Sequence, residues 1–134
     1  MFEYHGWVTV RESSLDDDSE SASREIAAEL RRRIEQMESR TTALLDLRWM
    51  NGELFLHLAG HTNHRASSTA ALDLFAEVGA LAPGSYGLLH IRDDEDPAHE
   101  NAVRVLSLVR GRVSESTERL LSPCIPTLES PHQG

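Results

Sequence analysis

Residues 44–60 hold two runs of alternating apolar and polar residues on either side of Asn51-Gly52. Asn-Gly is favoured where both turn residues take positive φ, as in the two-residue hairpin turn whose twist matches the strands it joins. The turn fixes a register: pairing Met50 with Glu53 sets Trp49 opposite Leu54, Leu47 opposite Leu56 and Leu45 opposite Leu58. The apolar pairs then share one face, and a slip of one residue would turn every leucine outwards. That face is expected to be core, with Trp49 a core residue among leucines. The other face receives Arg48 opposite Phe55 and Asp46 opposite His57.

The rest of the chain supplies partners for this hairpin. Residues 2–11 alternate, with Phe2, Tyr4, Val8 and Val10 on one side and Glu3, His5, Trp7, Thr9 and Arg11 on the other, the period of a strand with one buried face. From Glu20 to Ser39, Ile26, Leu30, Ile34 and Met37 recur at helical spacing against Arg31, Arg32, Glu35 and Glu38, which predicts an amphipathic helix. A second helix follows Ser67 or Ser68, carries Ala71, Leu74, Phe75 and Val78, and ends at Gly79 or Pro83-Gly84. Residues 86–92 read as a strand with Gly87, Leu89 and Ile91 inward, and a last strand is expected near 102–112.

The order is β-α-β-β-α-β with one added C-terminal strand. This predicts an α+β fold: a ferredoxin-like antiparallel sheet with two helices on one face and strands in the order fifth, fourth, first, third, second. A single domain over residues 1–134 is expected, with 120–134 a largely irregular tail because its prolines remove backbone donors.

Charge narrows the function. Twenty-two acidic residues oppose 13 basic ones, all Arg, for a net charge of -9. Such a chain repels phosphate backbones, which argues against nucleic acid, and attracts basic proteins. The single cysteine, Cys124, has no intrachain disulfide partner, the start lacks the pattern of a signal peptide, and no apolar run approaches the roughly 20 residues that span a bilayer. A cytoplasmic protein without membrane contact is expected.

Several residues invite chemistry. His5, His57 and His90 are expected on the sheet face away from the helices, with Trp7, Phe55 and Leu88; a solvated face, a partner-binding or self-association surface giving a homodimer, and a metal site are the readings open there. His61 and His64 flank Asn63 in a loop whose spacing permits joint metal ligation or catalysis; capping or loop packing is the first reading there and partner contact the next. The runs Asp16-Asp17-Asp18 and Asp93-Asp94-Glu95-Asp96 lack the alternation, Gly and distal Glu of a calcium loop. They read as solvated loops or as a landing site for a basic partner. Neither Cys124 nor Ser122 has a recognisable base, so no enzyme is expected, and no metal or cofactor is assigned.

Four segments carry a resemblance: Met1-Phe2-Glu3-Tyr4-His5-Gly6-Trp7-Val8-Thr9-Val10, Asn63-His64-Arg65, Tyr86-Gly87-Leu88-Leu89-His90-Ile91-Arg92-Asp93-Asp94-Glu95-Asp96, and Leu121-Ser122-Pro123-Cys124-Ile125-Pro126-Thr127. Together they resemble the immunity protein 7 family of bacterial polymorphic toxin systems. Glu118-Arg119-Leu120-Leu121 departs from that family's more usual aspartate-proline-phenylalanine at the start of the closing segment. The resemblance implies an antitoxin that neutralises a cognate toxin domain, often a nuclease, by tight binding, as in contact-dependent inhibition between bacteria. On the surface argument, the toxin-binding residues are Asp93, Asp94, Glu95 and Asp96, then Asp16, Asp17, Asp18, Trp7, Phe55 and His57. The alternative function is a small-ligand or metal-sensing regulatory module, by analogy of fold alone.

Overall fold

The computed structural model describes residues 1–13, 20–63 and 65–131. Asp16, Asp17, Asp18 and His64 lie outside them. The elements are β1 (Phe2–Val10), α1 (Glu20–Glu38), β2 (Leu44–Met50), β3 (Glu53–Thr62), α2 (Arg65–Leu81), β4 (Tyr86–Asp93), β5 (Val103–Val109), β6 (Arg112–Thr117) and the short turn α3 (Cys124–Thr127). The strands form one antiparallel sheet in the order β2-β3-β1-β4-β5-β6.

Period-two alternation delivers the inner face of this sheet. Phe2, Tyr4, Val8 and Val10 of β1, Leu54, Leu56 and Leu58 of β3, and Leu89 and Ile91 of β4 are all buried. Ala27, Leu30, Ile34 and Met37 form one stripe of α1; Ala71, Leu74, Phe75 and Val78 form one of α2, and both stripes enter the same core. Leu30 and Phe75 are fully buried, and truncating such a phenylalanine costs about 3–5 kcal/mol. On the solvent side Arg33 ties the helices together, 2.9 Å from Glu29 and 2.8 Å from Glu77. A Cβ at Gly79 would lie 2.6 Å from Leu108 Cδ1 and 3.2 Å from Gly111 Cα, so a glycine there lets α2 approach the β5–β6 turn closely.

The hairpin register is as the Asn-Gly turn dictates, from Met50 opposite Glu53 to Leu45 opposite Leu58. Trp49 departs from expectation: it is 45% exposed because it sits at the far end of an edge strand. A second departure is C-terminal. The single added strand expected over 102–112 is instead a hairpin, β5 and β6, turning at Arg110-Gly111. Every residue of β6 is exposed. Two helices of about 10 Å diameter cover roughly four strands spaced about 4.8 Å apart, so the sixth strand, although α2 comes near it, keeps every side chain exposed and needs no apolar face.

Candidate functional site

Neither α1 nor α2 covers the second sheet face, and the strand registers sort its side chains into rows. One row runs Asp46, His57, Trp7, Leu88 and Ser107; the next runs Leu44, Ala59, His5, His90 and Val105; the third runs His61, Glu3, Arg92 and Val103. Trp7, Phe55 and His57 are brought together as expected. His57 is directly across from Trp7, and Phe55 lies one step along, opposite Thr9. The Trp7 ring meets Tyr86 edge-on, with centroids 6.2 Å apart, an arrangement that suits the aromatic quadrupoles. Trp7, Tyr86 and Val109 are exposed apolar residues on this face.

His5 and His90 oppose each other on β1 and β4. The His5 Nε2–H donates to Glu3 Oε2 at 2.9 Å. Among the described residues no group of three or more His, Cys, Asp or Glu is placed to hold a metal ion.

The tail crosses one end of this face. Ser122 Oγ accepts the Val103 N–H at 2.8 Å, the Cys124 N–H reaches the Asn101 carbonyl at 2.9 Å, and the Ile125 N–H reaches Asn101 Oδ1 at 2.6 Å. Arg92 closes the latch with Nη2 2.7 Å from Glu129 Oε1, a bond that holds its guanidinium pKa above the ordinary value. Cys124 is 1% exposed. Its thiol is packed away from solvent, and the Ser122 hydroxyl is engaged by backbone, so neither is presented as a nucleophile.

The acidic run after β4 is a folded turn. Asp93 Oδ1 accepts the Glu95 N–H at 3.1 Å. The Met1 ammonium lies 2.9 Å from Asp94 and 3.1 Å from Glu95, and the Asp94 bond raises its pKa. Asp96 accepts from His99 Nδ1 at 2.9 Å and from the Ala98 N–H at 3.0 Å; with Arg104 Nη1 3.7 Å away, these hold its carboxyl below the usual aspartate range, His99 contributing most. Asp94 and Glu95 keep 48% and 67% of their side chains exposed. The turn thus stays open to an approaching cation despite its internal bonds.

Asp93 is five positions beyond Leu88, the β4 neighbour of Trp7, or about 17 Å along a strand. The aromatic patch on the outer face and the acidic turn at the end of β4 are therefore separate features with the His5 row between them; Asp93, opposite Phe2, and Arg104, which Asp96 meets, have the parity of the helix-covered face. The sequence places His5 and His90 of that row on this face with a partner surface as one reading, but it does not bring the tail beside them. Alternation places Glu3 beside His5 in the sequence itself, but no local pattern reports where Leu121 and Leu128 come to rest.

A groove of about 480 Å³ between α1 and α2 is lined by Glu29, Arg33, Arg40, Asp73 and Glu77, among others, and Arg33 is already paired there with both glutamates. Among the described residues, no helix is long and apolar enough to cross a membrane.

No curated protein matches the sequence. A solved structure similar to the chain, the de novo designed protein Foldit4, is 12% identical, with a TM-score of 0.43, over 69% of this chain and 94% of that one. The family model described as Immunity protein 7 matches residues 1–130. A match of that extent takes in the whole sheet, both long helices and the latched tail, and the chain belongs to the immunity protein 7 family.

Proposed function

We propose that this immunity protein acts in the cytoplasm by binding a basic cognate toxin domain, such as a nuclease, and occluding its active site or an adjacent exosite without transforming it chemically. The observation that carries the reading is a sheet face covered by neither long helix, aromatic at one end and bordered by exposed carboxylates at the other, in a member of a family directed against toxins. A specific interface buries about 800 Å² per partner, a patch roughly 28 Å across. Six strands about 4.8 Å apart, and the rise from Glu3 to Thr9, give a face of roughly 24 by 20 Å. One partner of ordinary size therefore spans Trp7, Phe55 and His57 and still reaches Asp93, Asp94, Glu95 and Asp96. The Asp16, Asp17 and Asp18 run adds to the negative field of the whole molecule, which a nuclease with a phosphate-binding cleft would feel as attraction.

The test is to co-express the chain with the toxin domain encoded beside its gene. Rescue of growth and a stable complex on purification are the expected results. Growth as poor as without the chain, with no complex recovered, rejects the proposal.

A further inference from the structure

We infer that the toxin is anchored on a ridge made by Glu3 and His5, with two large apolar side chains of the toxin entering the clefts on either side and a Lys or Arg between them meeting Glu3. This rests on the toxin-binding reading above and names the contact within it.

Glu3 and His5 line both clefts, whose remaining walls are mainly apolar, with Thr42 and His61 also reaching the first and His90 and Arg92 the second. The first cleft, about 560 Å³, is bounded by Leu44, Ala59 and His61. Its depth comes from Ala59, the small residue facing His5 across β1 and β3, and Leu44 at its wall is 62% exposed. The second, about 480 Å³, lies between His90 and Val103 of the sheet and Leu121 and Leu128 of the tail. The Arg92–Glu129 bond and the Ser122–Val103 bond hold that wall in place, so both clefts are formed before any partner arrives. Preformed apolar pockets are where interface anchors concentrate, because filling them expels water without ordering the receptor.

Charge selects the occupant. The Glu3 carboxylate stands between the clefts with 35% of its side chain exposed; His5 donates to it, and Arg92, opposite it across β1 and β4, is bonded to Glu129. One row beyond it the strand runs into Asp93 and the acidic turn. A second copy of this chain, itself at -9, would bring like charge to this end of the sheet, whereas a basic toxin brings the opposite sign. The clefts flank β1, on the β3 and β4 sides, so their centres are about 10 Å apart. Two turns of helix span that distance, which allows apolar residues seven apart with a basic one between them.

The measurement is affinity for the purified, catalytically inactivated toxin domain encoded beside the gene, by calorimetry, for four proteins with matched melting curves. Ala59→Trp fills the first cleft, Leu128→Asp puts charge into the wall of the second, and Leu120→Asp alters a residue that is 88% exposed and lines neither. The first two should each weaken binding at least tenfold, and Leu120→Asp should leave it within twofold of the unmodified chain. If the unmodified chain binds tightly and both cleft variants bind equally well, the anchor lies elsewhere and toxin binding stands. If the unmodified chain does not bind, the toxin-binding reading falls and takes the anchor with it. A homodimer in sedimentation that Ala59→Trp or Leu128→Asp dissociates without toxin gives the face to a second copy and overturns the anchor.

Discussion

A Cβ added at Gly87 would lie 2.0 Å from the backbone carbonyl oxygen of Trp7 and 2.8 Å from the Cα of Val8. Both are main-chain atoms, so no rotamer change relieves the collision. The central β1–β4 pair would have to part where Gly87 faces Val8. Gly87→Ala should therefore destabilise the protein by about 3 kcal/mol, the upper range for overpacking a core, and displace the Trp7 row of the outer face. Urea denaturation checks this; a loss below about 0.5 kcal/mol would mean that the strands separate freely there.

Two turns of the same shape differ in sequence. Asn51 and Gly52 have φ of 52° and 78°; Arg110 and Gly111 have φ of 50° and 77°. Nothing lies within 4 Å of a Cβ built at Gly52, so Gly52→Ala should cost about 1 kcal/mol through backbone conformation alone. The left-handed region penalises an L-residue by about 1–2 kcal/mol, less for Asn. Arg110→Asn should accordingly stabilise the protein by a few tenths of a kcal/mol up to about 1. Thermal melts of the two variants should shift in opposite directions, and a lower melting temperature for Arg110→Asn would contradict the argument.

That pair of turns also explains what the sequence made legible. Asn51-Gly52 announces itself because both residues favour positive φ, and the leucine alternation beside it fixes the register. Arg110-Gly111 makes the same turn with a first residue that favours no such conformation. The β6 segment Arg112-Val113-Ser114-Glu115-Ser116-Thr117 is exposed throughout and is free of any need to alternate. The hairpin therefore left no pattern and read as one strand. Trp49 shows a related limit: parity assigns its face, but burial also depends on how far the helices reach along an edge strand. At the site, alternation was enough to group Trp7, Phe55 and His57, whereas the cleft at His90 depends on a tail brought back from some 30 residues away.

Stability should change at both ends of the pH scale, through different residues. Hydrogen bonds from His99 and Ala98 lower the Asp96 pKa in the folded state. Its contribution is thus present above the ordinary aspartate value of about 3.9 and is lost as pH falls through the depressed one. Burial raises the Tyr4 pKa, so its contribution is present below about 10 and is lost as pH rises through the raised value. Asp96→Asn should flatten the acid limb of a denaturation profile and leave the alkaline limb intact, and Tyr4→Phe should do the reverse. Equal changes on both limbs in either variant would refute the assignments.

The exposed carboxylates of the acidic turn should govern how fast a toxin arrives more than how long it stays. Asp94 and Glu95 share the single Met1 ammonium and retain a net negative field. Charges at the edge of an interface act mainly on the association rate, through steering that salt screens over about 10 Å at 0.1 M. The double variant Asp94→Asn, Glu95→Gln should slow association with the toxin domain severalfold at low salt and flatten its salt dependence, with the dissociation rate nearly unchanged. Glu25→Gln, an exposed position on α1, removes one charge away from the face and should slow association much less. Stopped-flow kinetics at two ionic strengths separate these effects. A change confined to the dissociation rate would place the two carboxylates inside the desolvated contact, because a buried charge pair that loses a partner is felt in how long the complex lasts.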